Sequence, residues 1–268
     1  MSEADRSPYA WAGHHAARRR VELYAACDGA MVRQGAGWFA VATGVASNDM
    51  NGVVSEAGVA MADVVVDELI GWFADLALPA SWLTAAADPR LTAVLVERGS
   101  IPERTGWWAG RRLDRPRAVP EPARDIVIDR AGSHDDLDDW LDVAASCGWI
   151  ADPDDRSARR ALYCAVGLDH PHLAHWIARR GGTPVGMASS FLCDAAVDMC
   201  NLAVVEPYRR NGIGSGLVTH RVRAARSHRA RLAVSALSPD GWQLYETLGF
   251  VSVPVVPDTW FYLPPPAG

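Results

Sequence analysis

Three glycines stand at positions 212, 214 and 216, in the stretch VEPYRRNGIGSGLVTH (residues 205–220), where an apolar run gives way to a helical pattern. Glycine loses more conformational freedom on folding than any other residue, so three together are costly unless something must approach the backbone closely. A strand that enters such a loop and then a helix presents unpaired N–H groups at the positive end of that helix. The stretch therefore predicts a binding site for an anion such as a phosphate.

Two common phosphate-binding loops do not fit this stretch. All 26 basic residues are arginine, so the nucleotide P-loop G-x-x-x-x-G-K-[ST] is excluded, because its lysine is missing. The dinucleotide loop G-x-G-x-x-G needs a glycine where Leu217 stands, and it follows a parallel strand, whereas the strands predicted here are antiparallel. The pattern that remains is R-x-x-G-x-G, formed by Arg209, Gly212 and Gly214.

This pattern resembles the cofactor loop of the GNAT (Gcn5-related) acetyltransferases. The matching stretches are CNLAVVEPYRRNGIGSGL (200–217) and SPDGWQLYETLGF (238–250), and the resemblance covers roughly residues 124–264. It implies an α/β (α+β) fold in which a mixed, mainly antiparallel sheet is flanked by helices. It also implies an N-acetyltransferase that takes acetyl-CoA as co-substrate and a small-molecule amine as acceptor.

The two halves of the chain end with the same order of elements. Residues 91–113 and 242–264 each contain a helix, a glycine, a short loop and a strand with tryptophan. A repeat of more than 100 residues favours domain duplication over a solenoid, and the Pro- and Arg-rich segment 111–125 is predicted to be a linker. We expect two GNAT-like domains, similar to those of tandem GNAT proteins: a degenerate one without a cofactor loop (1–122) and an acetyl-CoA-binding catalytic one (123–268).

The resemblance implies roles for individual residues. Leu202, Ala203 and Val204 match the strand that leaves its neighbour and binds the pantetheine arm, and Ser238 matches a contact near that arm. The residues that would wrap the pyrophosphate are Arg209, Arg210, Asn211, Gly212, Ile213, Gly214 and Ser215. Tyr245 matches the tyrosine that faces the departing sulfur. Its spacing from Trp242 and Leu248 also fits an apolar helix stripe, so simple packing is the alternative.

Acyl transfer from a thioester to an amine needs a neutral amine, a stabilised oxyanion and a protonated leaving thiolate. A backbone N–H near Val204 suits the oxyanion, and Tyr245 suits the thiolate. The sequence singles out no general base among Asp198, Cys200 and Glu206. The alternative function is therefore a non-catalytic acyl-CoA-binding or sensing protein.

An acidic run and a group of histidines each allow two interpretations. Eight aspartates and no arginine lie between residues 135 and 155, which fits a solvated helix face or an acidic wall for a cationic metabolite or antibiotic. His170, His172 and His175 are close in sequence, but alternation along a strand would separate them. We therefore predict no metal site.

The charge and the cysteines limit the partners. A net charge of −6 argues against nucleic acid or an anionic membrane surface as partner. The five cysteines are scattered without a C-x-x-C pair, which argues against a disulfide framework. With no signal-peptide or transmembrane pattern, we expect a reduced, cytoplasmic protein, either monomeric or a homodimer.

Overall fold

The computed structural model describes residues 8–55, 61–84, 88–114, 125–150, 152–237, 239–252 and 258–265. Two compact units divide the chain: Met1–Trp108 with Pro254–Gly268, and Ala109–Val253. Most of the predicted linker lies outside the described residues, and so does Ser238. No helix in the described ranges is both long enough and apolar enough to cross a bilayer.

The first unit is a mixed sheet with three helices. Its sheet has the order β1-β2-β3-β4-β13-β5, in which β3 and β4 are parallel and the other pairs are antiparallel. Trp82, Phe73 and Phe261 are fully buried in its core. The elements are α1 (Pro8–Tyr24), β1 (Met31–Gly35), β2 (Trp38–Ala42), β3 (Gly52–Ser55), α2 (Asp63–Asp75), β4 (Ala80–Thr84), α3 (Pro89–Glu97), β5 (Ile101–Arg112) and β13 (Asp258–Leu263).

The second unit has a second mixed sheet with four helices. Its strand order is β5-β11-β9-β8-β7-β6, with β12 paired to the end of β5 and β10 paired to β8. Of these pairs, β9 and β11 are parallel. The elements that follow β5 are β6 (Ile126–Arg130), α4 (His134–Ser146), α5 (Pro153–Val166), β7 (Leu173–Arg180), β8 (Thr183–Cys193), β9 (Ala196–Asp198), β10 (Leu202–Val204), α6 (Ile213–Ser227), β11 (Leu232–Leu237), α7 (Pro239–Thr247) and β12 (Val251–Ser252).

Local sequence signals explain where several of these elements begin. Ser133 and Asp136 form a reciprocal capping box at the start of α4, which satisfies N–H groups that the helix itself leaves unpaired. Asp152 caps α5, and Pro153 occupies its first position. Gly181 and Gly182 both have positive φ in the turn between β7 and β8, as a tight hairpin requires.

The structure corrects the sequence prediction in two places. The apolar run AVDMCNLAVV (196–205) predicts one strand, but Asn201 has a φ of +47° and interrupts it, leaving β9 and β10 as separate strands. Helix α1 and strands β1 and β12 were not predicted. Strand β1 is exposed along its whole length, so it lacks the apolar alternation that indicates a half-buried strand.

The compact units are also drawn differently from the predicted domains. The last strand, β13, lies between β4 and β5 and so belongs to the first unit. The end of β5 pairs with β12 in the second unit, through Gly110 and Ala109. The predicted domains, residues 1–122 and 123–268, follow chain order, whereas β12 and β13 both pair with strands that precede residue 122. The division into these two domains therefore stays a prediction.

Candidate active site

The N-terminus of α6 presents backbone N–H groups without a side-chain cap. Gly212 is the N-cap, in the left-handed region with φ 79°, and as a glycine it makes no side-chain cap hydrogen bond. The first bond of the helix is from the N–H of Gly216 to the carbonyl of Gly212, at 2.8 Å. The N–H groups of Ile213, Gly214 and Ser215 therefore lie at a positive helix end, which suits an anion.

The loop before α6 is exposed and held in shape by its own backbone carbonyls. Arg209 donates from Nε to the carbonyl of Val204 at 3.0 Å. The amide of Asn211 donates to the carbonyls of Tyr208 and Arg209, each at 3.2 Å. Arg209, Arg210 and Asn211 are all exposed, so two guanidinium groups and one amide border the helix end.

Two glycines let α6 pack closely at this end. A Cβ on Gly214 would lie 3.1 Å from Leu244, and one on Gly186 in β8 would lie 2.9 Å from Ile213. Gly186 was missed by the sequence analysis, since a lone glycine in a strand has no spacing to mark it. Its lack of a side chain allows the start of α6 to rest directly on the strand that pairs with β10.

The strands β10 and β11 separate just where the predicted pantetheine site lies. Strand β9 pairs with both β8 and β11, and the N–H of Met199 still donates to the carbonyl of Val234 at 2.8 Å. After Asn201, the described pairing of β10 is with β8, through Leu202, Ala203 and Val204. Among the described residues, no backbone pairing joins these two strands beyond Met199, and we call the unpaired stretch between them the gap.

Backbone groups of β10 point into this gap. Asn201 accepts from the N–H of Ser189, and the N–H of Val205 donates to Val185, so these two residues bond to β8. Residues in an antiparallel pair alternate between bonded and non-bonded positions. Leu202 and Val204 must therefore direct their N–H and carbonyl groups away from β8, where the carbonyl of Val204 accepts from Nε of Arg209.

Tyr245 is buried at the point where the strands separate. Its ring is 3% exposed and packs edge-on against Phe250. Its hydroxyl lies 3.2 Å from Nη2 of Arg221 and 3.5 Å from the carbonyl of Met199. Trp242 and Leu248 belong to the same apolar cluster, so the side chain packs as the alternative interpretation expects, while its hydroxyl faces polar groups.

Arg221 is a polar residue of this region that the sequence analysis missed. It lies on α6 and is fully buried, although the run HRVRAAR (220–226) has the composition of an exposed helix face. Its guanidinium donates to carbonyl oxygens of Ser189 and Cys200, at 2.7 Å and 3.1 Å. No sequence pattern distinguishes it from its neighbours, because its burial depends on the register of α6 against the sheet.

The comparison with family sequences assigns this part of the chain. Residues 134–250, which include β10, α6 and Tyr245, match the sequence model of the acetyltransferase (GNAT) family. The chain carries a GNAT acetyltransferase domain. Acetyl transfer is the activity after which that family is named. A comparison with curated proteins gives no match.

Solved structures extend the likeness to nearly the whole chain. A GCN5-related N-acetyltransferase from Kribbella flavida is 16% identical, with a TM-score of 0.67 and 96% of each chain covered. A second from Sphaerobacter thermophilus is 14% identical, with a TM-score of 0.59 and 95% of each chain covered. A tandem GNAT protein from the clavulanic acid biosynthesis pathway is 14% identical, with a TM-score of 0.58 and 98% of each chain covered. The predicted α/β fold with two mixed, mainly antiparallel sheets is confirmed.

At least five of the eight aspartates in the acidic run at the start of the GNAT domain form ion pairs with four arginines, which offset about half of its charge. Its paired members are Asp136, Asp138, Asp139, Asp142 and Asp155, whose partners are Arg156, Arg159, Arg160 and Arg179. The hydrogen bond from Arg160 holds the pKa of Asp138 below its ordinary value. Because these arginines lie outside the acidic run in sequence, the charge of the run alone overstates the negative charge of this part of the folded protein. An acidic wall for a cationic acceptor loses much of its support.

His175 lies in the interior of the GNAT domain. Its ring is within 4.4 Å of the Tyr163 ring and 5.1 Å of the Trp140 ring, and Nδ1 lies 2.8 Å from Oγ of Ser189. Burial lowers the pKa of His175 to about 3, so the ring is neutral at physiological pH. His170 and His172 precede β7 instead of lying within it, so the alternation argument did not apply to them.

The first unit differs from the GNAT domain at the corresponding place. Strand β3, which precedes α2, pairs antiparallel with β2 and parallel with β4 through Gly52, Val53 and Val54. These three residues thus pair on both sides, and a pantetheine arm would find no open edge along them. Asp63 also places a carboxylate in the first turn of α2, where it opposes an anionic ligand.

Proposed function

We propose that the protein is an N-acetyltransferase that transfers the acetyl group of acetyl-CoA to a primary amine of a small molecule. The observation that carries this proposal is the gap between β10 and β11 beside the uncapped N-terminus of α6. A pyrophosphate is favoured at such a helix end. A pantetheine arm needs hydrogen bonds along its length, and the outward N–H and carbonyl groups of Leu202 offer two of them.

The chain's own residues supply the binding groups. Ala203 lies between the two outward residues and keeps β10 paired to β8. Around the pyrophosphate we place the N–H groups of Gly212, Ile213, Gly214 and Ser215 with the side chains of Arg209, Arg210 and Asn211. Ser238 stays a proposed contact near the pantetheine arm.

The chemical step requires charge stabilisation at two atoms. The amine nitrogen forms a bond to the thioester carbonyl carbon, and we assign to the N–H of Val204 the hydrogen bond to the oxygen that becomes negative. The carbon–sulfur bond then breaks, and the hydroxyl of Tyr245 gives its proton to the thiolate. The proton that the amine nitrogen loses restores the Tyr245 hydroxyl, so no proton is left over.

Non-catalytic binding of an acyl-CoA is the second candidate. It is favoured by the packing of Tyr245, which is as buried as a purely structural side chain. Under either function, a homodimer remains a prediction about assembly. The two functions differ in what Tyr245 does, because a sensor would bind acetyl-CoA without releasing free thiol.

The test measures free thiol released from acetyl-CoA, with and without aminoglycosides, polyamines and amino acid derivatives. The protein's own five free cysteines give a background, which a reaction without acetyl-CoA subtracts. We expect amine-dependent release, reduced about 10- to 100-fold in Y245F with unchanged acetyl-CoA affinity. Tight binding without release across the panel would favour the sensor, and the absence of binding would overturn the assignment of the loop.

A further inference from the structure

Arg221 is a cation enclosed in the GNAT domain. It projects from α6 with no exposed surface, and a buried guanidinium is costly unless most of its N–H groups find acceptors. A helix position that only needed to be filled would be more stable with an apolar side chain. The presence of arginine here calls for a role for its hydrogen bonds.

Those hydrogen bonds join three parts of the site. Nε donates to Leu217 of the same helix at 3.3 Å. Nη1 donates to Ser189 in β8 at 2.7 Å and to Cys200 in the segment between β9 and β10 at 3.1 Å. Nη2 donates to the hydroxyl oxygen of Tyr245 at 3.2 Å. One side chain therefore fixes both the break between the strands and the tyrosine beside it.

The bond to Tyr245 restricts what the phenol can do. Because a guanidinium has no acceptor atom, the tyrosine oxygen must be the acceptor in this pair. The O–H of Tyr245 then points away from Arg221 and toward the carbonyl of Met199, which lies 3.5 Å from the hydroxyl oxygen and is the acceptor that a group in the gap would replace. A phenolate formed at this oxygen would sit beside a fixed positive charge, in a site from which water is largely excluded.

We propose that Arg221 is a positioning residue that orients the Tyr245 hydroxyl and stabilises its anion during acetyl transfer. This inference rests on the proposed function. As the carbon–sulfur bond breaks, sulfur takes the proton of Tyr245, and the phenolate forms against Nη2 of Arg221. The phenolate then regains the proton that the acceptor nitrogen sheds, so the step needs no other reactant.

The experiment is a double-mutant cycle with Arg221→Met, Tyr245→Phe and the double variant, all in the full chain. For each protein, kcat is measured by thiol release with the panel amine that the wild type uses fastest, and the Kd for acetyl-CoA by titration. Arg159→Met is the matched control, because Arg159 is also a buried helical arginine but pairs with Asp155. Circular dichroism and melting temperature establish that each variant is folded.

We expect Arg221→Met and Tyr245→Phe each to lower kcat on the order of 10- to 100-fold, with the Kd changed by less than about 3-fold. The double variant should be no slower than the slower single variant, because each change removes the same interaction. Arg221→Lys, which keeps the charge, should recover part of the lost kcat. Arg159→Met should leave kcat near that of the wild type.

Three results would overturn the inference. If the loss of kcat in the double variant equals the product of the two single losses, the two residues act independently. An unchanged kcat with a raised Kd would mean that Arg221 only holds the strands apart. If the wild type releases no thiol in response to any amine, the proposed function fails and the inference fails with it. This outcome is recognised from the wild type alone. If Arg221→Met does not fold, the same cycle is run with Arg221→Lys. In that cycle, Arg221→Lys must lower kcat in the wild type but not in a protein that already carries Tyr245→Phe.

Discussion

Single residues of the GNAT domain show how burial sets side-chain chemistry. His175 and Arg221 are both enclosed, but the imidazole can shed its charge and the guanidinium cannot. His175 is therefore neutral, with a pKa of about 3, while Arg221 remains a cation and is surrounded by oxygen acceptors. The residue type alone predicts neither the neutral histidine nor the buried arginine, because both residue types are also common at protein surfaces.

The neutral state of His175 predicts a pH dependence of stability. In the unfolded chain this histidine takes up a proton below about pH 6.5, whereas in the folded protein it stays neutral down to about pH 3. The contribution of neutral His175 to the free energy of unfolding is therefore complete above pH 6.5 and is lost as the pH falls toward 3. Between pH 7 and pH 5 we expect the free energy of unfolding to fall by about 2 kcal/mol on its account.

Denaturant unfolding at several pH values between 7.5 and 5 measures this loss. His175→Gln should flatten the pH dependence by up to one proton, since glutamine can bond to Ser189 without titrating. His134→Gln, at an exposed histidine, should keep the wild-type slope. An equal slope in His175→Gln and the wild type would mean that His175 is not held neutral.

At the scale of elements, one end of α6 combines the features of an anion site. The helix begins at Ile213 with no side-chain cap, and its last turn carries Arg226. A carboxylate stabilises a helix at its N-terminus and destabilises it at its C-terminus, in each case by about 0.3–1 kcal/mol. The same carboxylate at the N-terminus would repel a bound pyrophosphate.

Ser215→Asp and Ser227→Asp form a matched pair at the two ends of this helix. We expect Ser215→Asp to keep or raise the stability of the protein while it raises the Kd for acetyl-CoA at least about 10-fold. Ser227→Asp should lower stability slightly and leave the Kd unchanged. Titration with acetyl-CoA and thermal melting measure both quantities, and equal Kd values in the two variants would remove the anion site from this helix end.

At the scale of the whole molecule, chain order and sheet order do not coincide. Strand β13 follows the GNAT domain in sequence, yet it lies between β4 and β5. Phe261 of β13 is fully buried in the core of the first unit, whereas Phe250 is buried in the core of the second. Two phenylalanines 11 positions apart therefore support different cores.

Replacing each of these phenylalanines by alanine tests that division. Each change should cost about 3–5 kcal/mol of local stability, because it leaves a cavity in a packed core. Hydrogen exchange is expected to speed up in β2 and β4 for Phe261→Ala and in β8 and β11 for Phe250→Ala. Faster exchange in β8 and β11 for Phe261→Ala, with β2 and β4 unaffected, would contradict the placement of β13.

Local physics decides several elements of this fold. The hairpin at Gly181 and Gly182, the cap at Ser133 and the start of α6 after Gly212 each depend on a backbone conformation that few residues adopt or on a bond within one turn, so the local sequence is enough to predict them. The break at Asn201 was missed, since it is set by bonds from Ser189 and Arg221, which are distant in sequence.

Residue order alone is enough to predict the fold class and the glycine-rich loop that leads into an uncapped helix, because glycine spacing and apolar periodicity are local properties. Long-range packing sets four other features: β10 pairs with β8, Arg221 is buried against Tyr245, arginines pair with the acidic run, and β13 lies in the first sheet. Each of these four features depends on contacts between side chains or strand edges that are far apart in sequence, and local sequence patterns do not specify such contacts.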